Sequence, residues 1–140
     1  MRAFLTAIGV IGLGVLGWFL YIMVPASGAF ANLQPKLVDQ CRSVTVFPGT
    51  EDVTIDEDTG IAFVSADDRR ATRAGAPVQG GIYALRLDGS DRVSKVSPES
   101  FGDFHPHGIS LWRGEDGSKR LFAINHTIAD GQKVEIFDVG

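Results

Sequence analysis

Three short stretches of this chain carry side chains that could do chemistry together: GTED (Gly49 to Asp52), FHPHG (Phe104 to Gly108) and AINH (Ala123 to His126). The first offers two adjacent carboxylates, and the other two hold all 3 histidines of the chain. An imidazole titrates near neutrality and suits a general base, and a second imidazole against its other nitrogen would fix its tautomer. Carboxylates are hard oxygen donors of the kind calcium takes. That ion wants roughly six to eight oxygens, so Glu51 and Asp52 alone are too few. On an unbroken strand successive side chains point to opposite sides, so both acids face one ion only if the chain turns there. A serine nucleophile finds no support, because neither Ser65 nor Ser110 stands in a Gly-x-Ser-x-Gly elbow.

These groups must be positioned by strands. His107 opens the apolar run GISLW and His126 closes RLFAIN, so both belong at strand ends that can meet at one rim. Strand-length runs rich in β-branched and aromatic residues occur at 44–47, 52–55, 61–65, 81–87, 108–112, 120–125 and 133–139. Between them stand turns of hairpin type, Asp58-Thr59-Gly60, Asp88-Gly89, Asp116-Gly117 and Asp130-Gly131. No segment after residue 40 has a helical period, and the charged stretch 67–76 reads as a solvated loop. The pattern predicts an all-β fold, a sandwich or a β-propeller. A propeller blade takes roughly 40 to 50 residues and a closed ring at least about four blades, so this chain would supply about the first two.

Ahead of the strands, Ala3 to Val24 form a run without a charge, and about 20 apolar residues suffice to cross a bilayer. A secretory signal competes, with Arg2 as its charged start and Ala29-Phe30-Ala31 as a small-x-small cleavage pattern. The run is longer than the roughly 7 to 15 residues of a cleaved signal, so an uncleaved anchor over 1–24 is expected. A Pro- and Gly-containing linker at 25–40 and a β domain at 41–140 follow it. Either reading exports the β domain. Trp18 and Tyr21 suit the headgroup level. A net charge of -4 with no basic stripe argues against a nucleic-acid partner. Cys41 is the only cysteine, which excludes a disulfide within the chain and a cysteine-based zinc site. It is either an inert buried thiol or half of a bridge whose partner lies elsewhere.

The stretches GTEDVTID (Gly49 to Asp56), FHPHGISLW (Phe104 to Trp112) and RLFAINHTIADGQKVEIFDV (Arg120 to Val139) complete the picture. In that order, with the apolar N-terminus and Cys41, they resemble the paraoxonase/arylesterase family of calcium-dependent lactonases and esterases, built on a six-bladed β-propeller. The likeness spans the chain but only the N-terminal portion of a family member. Gluconolactonase and strictosidine-synthase-like propellers share the fold and the metal logic, but not the PHGIS and NH pair.

The resemblance implies that Glu51 binds a catalytic calcium, while Asp52 and the carbonyl of Ile109 bind a structural one. It implies His107 as the base facing a lactone or aryl ester, with phosphotriesters as a side activity, and His126 behind it. His105 has no counterpart and reads as a loop residue, with a transition-metal pair of His105 and His107 as the lesser alternative. Asp56, Glu57 and Asp58 read as an exposed acidic turn. Further calcium ligands, and a cysteine for Cys41, would lie beyond Gly140. The expectation is therefore an N-terminal portion, inactive alone, with an aggregation-prone open sheet edge. The rival expectation is a membrane-anchored, non-catalytic propeller or binding module whose acids serve structural calcium only.

Overall fold

The computed structural model describes residues 1–32 and 34–140, which form two compact units, Met1–Arg42 and Ser43–Gly140. The first unit carries helix α1 (Arg2–Ala26), which has no buried residue and contains an 18-residue window with a mean hydropathy of 2.2. Its 25 residues are long and apolar enough to cross a membrane. At about 1.5 Å per residue they would extend past a hydrocarbon core about 30 Å thick. Cys41, in the same unit, is exposed, so the buried-thiol reading does not hold.

The second unit is built of two antiparallel sheets in sequential order. Sheet one comprises β1 (Thr50–Asp56), β2 (Ile61–Ala66), β3 (Gly81–Arg86) and β4 (Val93–Lys95). Sheet two comprises β5 (Pro106–Arg113), β6 (Lys119–Thr127) and β7 (Gly131–Val139). The all-β expectation holds at this level. The hairpins close where the Asp-Gly sequences put them: Gly60, Gly117 and Gly131 take φ of 64°, 83° and 81°, a region that a side chain disfavours.

Three local expectations fail. Residues 44–47 are not a strand; Val46 and Phe47 instead cover the outer face of sheet one at Val64, Ala66 and Tyr83. The Phe47 ring stacks on Tyr83 at 5.5 Å, so the apolar pattern reflects face packing rather than ladder pairing. β4, only 3 residues long, gives too brief an alternation to be seen. The stretch read as a solvated loop holds helix α2 (Arg69–Arg73), whose 5 residues are too few to show a period. Asp68 caps it by accepting the Ala71 N–H at 3.0 Å.

The core lies where the sheets meet. Phe63 and Ile82 of sheet one pack with Phe104, Leu121 and Ala123. Phe101, Phe104 and Phe137 form an aromatic group with centroids 4.7 to 5.9 Å apart. A fully buried side chain such as Ile82, Phe104 or Leu121 contributes on the order of 1.5–3 kcal/mol. On the opposite face of sheet two, Trp112, Ile124, Val134 and Ile136 are exposed. β7 pairs with β6 along one edge only.

The far ends of the strands from GTED are locked by charge. Asp56 is 1% exposed, and both of its oxygens accept from Lys119 Nζ at 2.8 Å, while Thr59 Oγ1 donates to Oδ2 at 2.8 Å. Asp56 is therefore not part of an exposed acidic turn, although Glu57 and Asp58 are exposed. The turn between β1 and β2 carries its first acid inward to meet a lysine from β6. Lys119 holds the Asp56 carboxyl below its ordinary pKa, with Thr59 adding to the effect against the opposing cost of burial.

A depressed folded-state pKa makes Asp56 stabilising above the ordinary carboxylate value, and this contribution disappears as pH falls through that value toward the depressed one. Replacing Lys119 by Met removes the closest cation from a buried carboxylate, leaving it the Thr59 hydroxyl at 2.8 Å and Arg113 Nη2 at 3.6 Å. The expected result is a thermal midpoint at pH 7 lower by about 5 °C or more, and an acid-unfolding limb shifted to higher pH. An unchanged acid limb in circular dichroism would refute this role.

Candidate functional site

The site forms because β1 and β5 lie side by side without sharing a ladder. They are joined instead through side chains. Asp52 Oδ2 accepts the backbone N–H of Ile109 at 2.8 Å, and Arg113 Nη2 donates to the Ile55 carbonyl at 2.8 Å. Ser65, fully buried on β2, donates from Oγ to the His107 carbonyl at 2.5 Å and accepts the Asp52 N–H at 3.1 Å. Ser65 thus ties three strands at one point.

Both halves of the site sit on strand irregularities. The β1–β2 register shifts between Thr50 and Val53, and the β5–β6 register shifts between Pro106 and Ile109. Each places one extra residue on its strand, a β-bulge that re-aims side chains locally. Glu51 and Asp52 occupy the first bulge, His107 and Gly108 the second. The turn that the adjacent acids needed is therefore present. Its partner is Gly49, at φ 72°, where an added Cβ would collide with the Asp67 carbonyl.

A cleft of about 320 Å³ opens over these bulges, lined by Glu51, Arg69, Thr72, His107, His126 and Ile128 among others. His107 Nε2 lies 2.6 Å from Glu51 Oε1, and Arg69 Nη2 lies 2.7 Å from Glu51 Oε2. The His107 and His126 rings meet edge-to-face with centroids 5.1 Å apart. A proton on Nε2, toward Glu51, would leave the proton-accepting lone pair of His107 on Nδ1. The structure thus places His107 beside His126, with Glu51 at Nε2 of His107, and His126 is exposed. The bulge at His107 turns its ring toward β1, which puts the carboxylate in reach.

No protein-family model and no curated protein matches this chain.

His105 lies in the connection just ahead of β5, as expected, but it is buried and fully engaged. It is 6% exposed, with Nδ1 2.8 Å from Asp67 Oδ1 and Nε2 3.3 Å from Asp103 Oδ1. Both ring nitrogens therefore face carboxylates, which leaves neither for a metal shared with His107. Its backbone N–H donates to Asn125 Oδ1 at 2.8 Å, and its carbonyl accepts the His126 N–H at 3.1 Å. Through these bonds His105 and Asn125 set the backbone that carries both cleft histidines. Asp103 is itself held below its ordinary pKa, chiefly by the backbone N–H groups of Ala129 and Ile128.

Arg69, Ser65 and Asn125 were invisible as site residues. Arg69 lay in the stretch read as loop, and Ser65 was weighed only as a nucleophile. A buried serine opposite a Gly-x-Glu-Asp bulge is the signal that would have found it.

The donors available suit calcium in kind and fall short in number. Glu51 lines the cleft but meets His107 at Oε1 and Arg69 at Oε2, and Asp52 spends Oδ1 on the Val53 N–H and Oδ2 on the Ile109 N–H. Ile109 thus meets Asp52 through its N–H and not through its carbonyl. Among the described residues there is no group of 3 or more His, Cys, Asp or Glu side chains placed to hold a metal. An ion at Glu51 would need most of its roughly six to eight oxygens from elsewhere.

A larger groove of about 780 Å³ runs between the sheets near the Asp56–Lys119 pair, lined by apolar residues such as Phe63, Ile82 and Phe137. It has volume but lacks a histidine, so the smaller cleft is the better chemical candidate.

Ser65→Ala removes the tie while leaving the apolar core intact. The Asp52 N–H and the His107 carbonyl then lose their partner at a buried site, which costs about 1–3 kcal/mol. Denaturant unfolding should show a loss of that size. A change near zero would mean that the strands are held in place without it.

Proposed function

We propose that the cleft is the hydrolytic site of a calcium-dependent lactonase and arylesterase of the paraoxonase/arylesterase type, carried on β-propeller blades and attached to a membrane by α1. The observation that carries the reading is the 2.6 Å contact of His107 Nε2 with Glu51 Oε1, beside His126, in one open cleft. A carboxylate that fixes the tautomer of an imidazole, with the other nitrogen directed to solvent or substrate, is the arrangement of a general base. In the reaction His107 Nδ1 takes a proton from water as the water oxygen adds to the ester or lactone carbonyl carbon. The C–O bond to the leaving group then breaks, and that oxygen takes the proton from His107.

Glu51 is the residue of this chain that would hold calcium, and the bound ion supplies polarisation of the carbonyl oxygen. His126 borders the same space and can donate a hydrogen bond to the leaving group or orient the water. Two sequential antiparallel meanders packed face to face, with β1 and β5 adjacent, support the propeller reading. A non-catalytic anchored module has one observation in its favour, the spending of both Asp52 oxygens on backbone N–H groups.

The reading is tested on the full-length protein with phenyl acetate and a δ-lactone. Hydrolysis should require calcium and stop on chelation. His107→Gln should lower kcat/KM by about 100-fold or more. Full activity in that variant would remove His107 from the chemistry, and activity that survives chelation would remove the ion.

A further inference from the structure

Helix α2 gives the cleft a positive rim on an otherwise acidic chain. Three of its 5 residues are arginines, Arg69, Arg70 and Arg73, and all three are exposed. The acids closest in sequence are already committed. Asp67 meets the ring of His105 at 2.8 Å, and Asp68 caps the helix through the Ala71 N–H. Arg70 and Arg73 make no ion pair among the described residues, so the rim carries uncompensated charge that would attract anions toward the opening.

Arg69 has a closer role. Its Nη2 meets Glu51 Oε2 at 2.7 Å, yet its side chain is 46% exposed and lines the cleft. A guanidinium has five N–H donors in a planar fork, and one nitrogen on Glu51 leaves an edge able to take a second carboxylate. Arg69, His107 and His126 line the same cleft. Thr72 lines the same wall, and Ile128 supplies apolar surface for the rest of a ligand. A volume of about 320 Å³ is at the small end of ligand pockets.

We infer that the cleft selects small anionic ligands, esters or lactones that carry a free carboxylate, and that Arg69 is the residue that recognises the carboxylate. This rests on the hydrolytic reading for the ester group, whereas anion recognition stands on the cleft itself. Arg70 and Arg73 steer the ligand, and Arg69 anchors it with the ester directed to His107.

The test compares monomethyl glutarate, which carries one carboxylate, with neutral dimethyl glutarate, using the full chain in a zwitterionic lipid nanodisc. With 3 histidines in the chain, ring-proton NMR shifts of His107 and His126 report occupancy directly. The monoester should give saturable shifts at both rings, with a Kd at least about tenfold below that of the diester. Arg69→Gln should remove that preference, and Arg69→Lys should keep part of it, with unchanged far-ultraviolet circular dichroism in both. Equal affinity for the two esters, or a preference that survives in Arg69→Gln, overturns the inference. Ring shifts that respond to anionic nanodiscs and not to the monoester assign the arginines to a lipid surface and also overturn it. Hydrolysis is followed on the same samples in the presence of calcium. Anion preference without turnover would sink the hydrolytic reading alone, and turnover of the diester without anion preference would sink this inference alone.

Discussion

The β domain depends on one junction, the place where Asp52 and Ser65 hold β5 against β1. Neither strand offers the other a backbone ladder there, so the junction is carried by a carboxylate on the Ile109 N–H and a buried hydroxyl between two main-chain groups. Such bonds are directional, and leaving a buried partner unmade costs more than making it gains. The two sheets are consequently held in register at the cleft. The apolar contacts among Phe63, Ile82, Phe104 and Leu121 supply cohesion without specifying that register.

The same junction explains why a carboxylate and an imidazole can meet across two sheets. A regular strand would alternate Glu51 and Asp52 between its faces and give only one of them to the site. The bulges let Asp52 serve the backbone while Glu51 enters the cleft, and they turn His107 to meet it. Beneath, the chain of Asp67, His105, Asn125 and Asp103 fills the polar interior with mutually satisfied groups. The division of labour is clear: one histidine of FHPHG is committed to architecture and the other is open to chemistry.

Much of the fold was legible in the sequence because its signals are local. Runs of β-branched and aromatic residues located six of the seven strands, and the short turns ending in Gly60, Gly117 and Gly131 located hairpins. What escaped was non-local or too short to be periodic. Residues 44–47 look like a strand because covering a sheet face requires the same apolar residues as lying within one. Asp56 looked like turn acid because its partner, Lys119, is 63 positions away. His105 looked idle because the carboxylates that enclose it come from other parts of the chain. The residue types at the site, Glu51, His107 and His126, were legible, but their mutual arrangement was not. That arrangement depends on two bulges, and a bulge leaves no periodic trace.

The groups suited to chemistry stand on strands, but the arginines that border them stand on a connection between β2 and β3. A connection can change length and composition while the ladders on either side keep their register. Glu51 and His107, fixed by the sheets, would survive such changes, and Arg69 would not. Descendants of this fold could therefore exchange the charge beside the cleft by rewriting a single connecting segment, with the Glu51–His107 contact inherited intact.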